Sequence, residues 1–144
     1  MVTELLEAAM AAPSARHEEP CHFIVMRDHK IMDEIPNYHP FSKMLPEAPV
    51  AILVCADTTT IPDNYWIQDA SAAMENILIA ARAKGLGAVW LGVYPNEERF
   101  KNVQKLCGIP EKVIPVGIIS IGWPDEQKPP ADRFKQERIH KDRW

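Results

Sequence analysis

Groups able to do chemistry crowd into one stretch of this chain, A-P-S-A-R-H-E-E-P-C-H-F over residues 12–23. Ser14, Arg16, His17, Glu18 and Glu19 stand together between two segments that both read as core. Such a run is either a solvated connection or a surface against which something polar rests. His17, Cys21 and His22 are possible metal donors, but Pro20 breaks the segment and denies them helical spacing. The H-E-x-x-H pattern is not met either, because Cys21 stands where the second histidine belongs. A polar loop with a half-buried cysteine is the simpler reading, and no metal site is expected. His29, His39 and His140 have no motif around them and read as surface.

Glycines supply the second feature. K-G-L-G-A-V-W-L-G-V-Y-P at 84–95 contains G-L-G, yet Trp90 holds the third glycine position of the dinucleotide fingerprint. The stretch also follows a helix and opens a strand, the reverse of that motif's context. Gly85 reads as a helix stop and Gly87 as a tight turn. Gly92 is left interrupting a strand, where a glycine often marks close approach of a ligand or another backbone. No G-x-S-x-G, phosphate-binding loop or carboxylate pair is present, so no side chain is assigned as a catalytic nucleophile, acid or base. Gln68, Asp69, Glu75 and Asn76 lie in an otherwise apolar helix. They are read as satisfying backbone or partner-chain groups, with negative charge near the helix start suiting its dipole.

The elements that must carry these residues follow from periodicity. A short helix is expected over about 3–12, with Thr3 as its cap and Pro13 as its stop. Strands are expected at about 22–27, 49–57, 87–93 and 113–122, the second and last as continuous apolar runs of the buried kind. Residues 29–47, broken by Pro36, Pro40 and Pro46, read as irregular or short-helical. The strongest element is a helix over 64–84, with Ile67, Ala70, Met74, Ile77, Leu78 and Ala81 at helical spacing. Its other side is apolar as well, which predicts burial between a sheet and a second subunit. A further helix at 96–107 has Asn96 as cap and Gly108 as stop. The expected organisation is a core domain over 1–123 and a proline- and charge-rich arm over 124–144, with Phe134, Ile139 and Trp144 as apolar anchors.

Composition bounds the function classes. The 144 residues carry a net charge of −4, which disfavours nucleic acid or an anionic membrane as the main partner. No apolar segment approaches the ~20 residues of a membrane span, and the acidic amphipathic start does not read as a secretory signal. Three cysteines without a C-x-x-C pair fit a reduced, cytoplasmic protein.

Three blocks together resemble the nitroreductase family of flavin oxidoreductases. A-P-S-A-R followed by E-P-C-H-F-I-V is similar to that family's A-P-S-x-x-N-x-Q-P-W-x-F segment. W-I-Q-D-A-S-A-A-M-E-N-I-L-I-A-A-R-A-K-G-L-G-A-V-W-L-G-V-Y-P resembles its long central helix running into a G-L-G-x-x-W-x-G strand. The tail from Ile121 to Trp144 resembles its proline-rich basic arm. The resemblance spans nearly the whole chain, and its second block is the most specific.

The resemblance implies an α+β fold, a three-layer sandwich with a central, mainly antiparallel sheet, built as an intertwined homodimer. It implies FMN at the dimer interface, reduced by NAD(P)H and reoxidised by a small-molecule acceptor such as a nitroaromatic or a quinone. Carried over by position, Pro13, Ser14, Ala15 and His17 line the flavin ring and ribityl. A backbone N–H in the turn at Leu91, Gly92 and Val93 faces flavin N5, and Lys128 and Arg133 on the arm hold the phosphate. The chain departs from the family pattern at His17, Glu19 and Cys21, where Asn, Gln and Trp are usual. It begins at the family's second helix, and the R-R-S-x-R segment that grips the phosphate occurs nowhere in it. The alternative implied by that departure is a truncated relative with weak or no flavin binding, serving as a binding or partner protein.

Overall fold

A computed structural model describes residues 1–59, 63–126 and 128–144 of the chain. Its centre is a four-stranded sheet of β1 (Cys21–Met26), β2 (Val50–Asp57), β3 (Gly87–Gly92) and β4 (Val113–Gly122), in the order β1-β2-β4-β3. Every neighbouring pair is antiparallel. β2 and β4 sit in the middle and are covered on both faces, which is why each is a continuous apolar run. Alternation along β2 divides the core in two. Ile52, Val54 and Ala56 pack under α1 (Val2–Met10) and α3 (Tyr65–Ala83) with Leu5, Ala70, Met74 and Ile77. Ala51, Leu53 and Cys55 face the other way, with Met32 from α2 (His29–Glu34) and Val103 from α4 (Glu97–Cys107). The result is an α+β sandwich of three layers, helices on both sides of one antiparallel sheet.

The helix ends follow their local chemistry. Asn96 accepts from the Arg99 amide at 3.0 Å to cap α4, and Gly108 ends it in the left-handed region at φ 65°. α3 ends with Leu86 N–H on the Ala81 carbonyl and Gly85 N–H on the Arg82 carbonyl, with Gly85 at φ 74°. That pair of bonds is the Schellman arrangement, which needs a residue free to take positive φ. α1 is shorter than its periodicity predicts, and Thr3 lies inside it while Met1, without a side-chain cap, precedes it.

Within one chain α3 buries one face against the sheet, and Ile79 on the other side is 60% exposed. Two expectations are corrected. Gly92 ends β3 rather than interrupting it. His39 is not a surface residue: it is 1% exposed, because the turns after α2 fold it inward. The tail adds to neither core. Every described residue from Trp123 onward is exposed, the sole regular turn there is Gln136–Arg138, and His140 stacks on Trp144 at 4.4 Å. Among the described residues no helix is long and apolar enough to cross a membrane.

Candidate functional site

The loop after α1 is held in a shape it would not take alone. Arg16, His17 and Glu19 have φ of 54°, 57° and 47°, a region that disfavours residues with a Cβ. Contacts from elsewhere impose it. Ala15 N–H donates to Asp69 Oδ1 at 3.1 Å, from a residue of α3 that is 8% exposed. Glu19 N–H donates to Ser14 Oγ at 3.1 Å, and Arg16 pairs with Asp63 just before α3. Asp69 therefore serves backbone, as its place in an apolar helix suggested, and Asn76 does likewise by donating to the Ala8 carbonyl at 2.9 Å.

Pro13 and Ser14 line a cavity of about 190 Å³ with Cys21, Phe23 and Asp69. Burial, and secondarily the Asp69 carboxylate, pushes the Cys21 thiol up to about 11. A thiol so far from ionising is a poor nucleophile, and it reads as a cavity wall. His17 is exposed, and neither it nor Ala15 lines the cavity. Among the described residues no three His, Cys, Asp or Glu side chains are grouped to hold a metal ion.

The end of β3 approaches the same end of α3. Trp66 meets Tyr94 edge to face at 5.0 Å, so the first turns of α3 support both the loop and the residues after Gly92. Leu91 and Val93 are 3% and 0% exposed, with their side chains in the sheet's α2/α4 core. Val93 N–H is taken by the Val116 carbonyl at 3.1 Å. With Val93 bonded inward to β4, antiparallel alternation turns Leu91 inward as well and both polar groups of Gly92 outward. Gly92 is exposed, and a Cβ built on it would meet nothing within 4 Å. Of residues 91–93, Gly92 alone presents a backbone N–H to an approaching ligand.

Its carbonyl is occupied. His39 Nε2 lies 2.9 Å from the Gly92 oxygen, and Arg99 Nη1 donates to it at 3.3 Å. Neither residue stands out in the sequence. The Asn96 cap places Arg99 in the first turn of α4, whereas nothing local marks His39.

Lys128 and Arg133 lie elsewhere. Lys128 pairs with Glu126 at 2.7 Å and lines a groove of about 800 Å³ with Arg82, Leu86, Val89 and Trp123 at the Gly87 end of β3. Arg133 is exposed farther along the tail. The length of β3, roughly 16–20 Å for a strand of this size, separates that groove from Gly92. Within one chain the loop lies at the β1 edge of the sheet and Gly92 at the opposite, β3 edge, with the first turns of α3 touching the neighbourhood of each, and the arm cations join neither.

The sequence and fold have close counterparts. Residues 37–123 match the model of the Nitroreductase family. Two archaeal proteins bearing the name "Putative NADH dehydrogenase/NAD(P)H nitroreductase" are each 47% identical: one from Archaeoglobus fulgidus, over 99% of this chain and 85% of its own length, and one from Methanothermobacter thermautotrophicus, over 100% and 76%. A crystal structure of a Parabacteroides distasonis protein of the same name superimposes with a TM-score of 0.96 at 39% identity, covering 99% of this chain and 84% of that one. An FMN-dependent nitroreductase of Clostridium difficile gives a TM-score of 0.88 at 28% identity over 99% and 87%. With sequence, fold and the glycine-ended strand in agreement, the chain belongs to the nitroreductase family of oxidoreductases.

Proposed function

We propose that the protein is an FMN-dependent oxidoreductase that takes electrons from NAD(P)H and passes them to a small, flat, electron-poor acceptor such as a nitroaromatic or a quinone. The observation that carries this reading is Gly92: an exposed amide at an open strand edge, with empty space where a side chain would stand. A planar ring needs such a bare backbone to approach closely. The dependence of the Clostridium difficile relative on FMN supports the same cofactor.

The residues fit that group. The 190 Å³ cavity is smaller than the usual ~300–1,000 Å³ of a cofactor pocket, so one chain offers a floor and not an enclosure. A second copy is the natural lid. Exposed Val89 and Trp123 give the 800 Å³ groove an apolar border, and the arm beyond Lys128, exposed throughout, is free to dock on a partner. In an assembled pair Pro13, Ser14, Ala15 and His17 of one copy would back the ring and ribityl, the Gly92 N–H of the other would face the ring edge, and Lys128 and Arg133 of an arm would supply the phosphate-binding cations. FMN supplies the electron-carrying chemistry when bound. The protein's part is to orient the ring, exclude water and aim the Gly92 donor at developing negative charge.

The competing reading is a flavin-free partner protein. It is favoured by the loop itself, where His17, Glu19 and Cys21 stand at positions that the family usually fills with Asn, Gln and Trp. Titration of purified protein with FMN, followed by fluorescence quenching alongside native mass, separates the two. Saturable binding to a dimer supports the oxidoreductase; absence of saturable binding rejects it and leaves the partner protein.

A further inference from the structure

Gly92 presents two polar groups to the open edge of β3, and their partial charges are opposite. In an extended residue the N–H and the C=O point to the same side of the strand, so the Gly92 oxygen stands next to its own outward N–H. A bare carbonyl oxygen there would repel the negative charge that the N–H attracts. Two side chains cover it. His39, 1% exposed, lies with Nε2 2.9 Å from the Gly92 oxygen, and because a carbonyl only accepts, Nε2 carries the hydrogen. Arg99 Nη1 donates to the same oxygen at 3.3 Å. The imidazole N–H offsets the oxygen's partial charge, and the guanidinium, protonated at every relevant pH, adds a full positive one.

Arg99 is held for this placement at three points. Its backbone N–H sits on Asn96 Oδ1 at 3.0 Å in the first turn of α4, and its guanidinium lies over the Phe41 ring at 5.8 Å as well as on the Gly92 oxygen. His39 meets that same ring edge to face at 6.3 Å. Gly92, His39, Phe41 and Arg99 thus close a ring of contacts around one carbonyl. No carboxylate neutralises the charge. Among the described residues Arg99 makes no ion pair, Glu97 in the same turn pairs with Lys101, and the exposed Glu98 makes none.

We infer that Arg99 supplies the charge of this site: seated on the Gly92 carbonyl, it turns the strand edge positive and so favours the reduced, anionic flavin over the uncharged oxidised ring. The inference rests on the flavin reading above and goes beyond it by naming a side chain that sets the flavin's potential. Arg99 acts through the field at the Gly92 edge and needs no bond of its own to the ring. It therefore changes the balance between reduced and oxidised flavin far more than the affinity for oxidised FMN, whose ring carries no charge.

The test is a charge series at one position: wild type, Arg99→Lys, Arg99→Gln and Arg99→Glu. FMN affinity is measured by fluorescence quenching and the midpoint potential of the bound flavin by spectroelectrochemistry. Arg99→Gln keeps an amide donor without the charge. It is expected to lower the reduced-over-oxidised preference about tenfold, a fall of about 30 mV for a two-electron couple, the order expected of charges several ångströms apart at a part-exposed site. Arg99→Glu should lower it about a hundredfold, or about 60 mV, and Arg99→Lys less than about threefold. Oxidised-FMN affinity should stay within about threefold throughout, and the difference between wild type and Arg99→Gln should shrink at high salt. Potentials that fall in the order Lys, Gln, Glu support the inference, and any two folded variants suffice to show or refute that order. An unmoved potential in Arg99→Gln, or a fall in Arg99→Lys as large as in Arg99→Gln, overturns the inference while leaving the flavin reading intact. No FMN binding by wild type overturns both.

Discussion

The two ends of β3 are built on opposite plans. At Gly92 the strand is anchored: Leu91 and Val93 reach into the α2/α4 core, two donors hold the Gly92 carbonyl, and Tyr94 just beyond packs on Trp66 of α3. At Gly87 the strand opens onto a wide groove bordered by exposed Val89 and Trp123 and by charged Arg82 and Lys128. The chain organises by itself the end where the chemistry is proposed and leaves the other end for another surface. Reacting centres gain most from parts that do not move on binding, whereas an arm that docks can tolerate being ordered late.

The largest expected effect comes from removing what both ends share. Ile118, fully buried in β4 and paired with Leu91, supports the strand along its length. Ile118→Ala should lower the unfolding free energy by about 2–5 kcal/mol in urea titrations, with both ends loosened together. Gly92→Val separates site from fold. A Cβ there meets nothing within 4 Å, so stability should change by less than about 0.5 kcal/mol. FMN affinity should nonetheless fall about a hundredfold in quenching titrations, or about 2.8 kcal/mol, because the side chain occupies the ring's space. Equal binding by this variant would break the contrast between the two ends.

The arm should show smaller, salt-sensitive effects. Lys128→Ala and Arg133→Ala are each expected to weaken FMN about tenfold, less at high ionic strength, without altering stability. The mildest test concerns Cys21 beneath the loop. Its raised value of about 11, against 9.0 for an ordinary thiol, means the native state holds the proton more tightly than the unfolded chain does. The stability this group contributes is present in full below pH 9 and is lost as pH rises through 11, and iodoacetamide labelling of the native protein should remain slow until that range. Rapid labelling at pH 8 would show that the loop opens readily and that its pinning by Asp69 is weak.

Much of the architecture was legible because it is local. The apolar runs of β2 and β4 announce strands covered on both faces, Asn96 and Gly108 bracket α4, and Gly85 closes α3. The block from Trp66 to Pro95 carried the family. The polar loop after α1 was visible as an anomaly, and Pro13, Ser14 and Gly92 stood out by type and spacing. His39 was misread as surface because nothing within a few residues of it is distinctive. Its contact lies 53 positions away.

By itself, then, the sequence determined which segments are helices and strands, which glycines end them, and where an unusual loop lies, since caps, periodicity and β-branched runs act over a few residues. Only the tertiary structure decided which polar groups serve backbone and which face outward. Asp69 became a loop anchor and His39 a holder of Gly92 when strand order and helix packing brought distant residues within hydrogen-bond reach. Burial then made those contacts matter, because a polar group removed from water must find a partner in the fold or destabilise it.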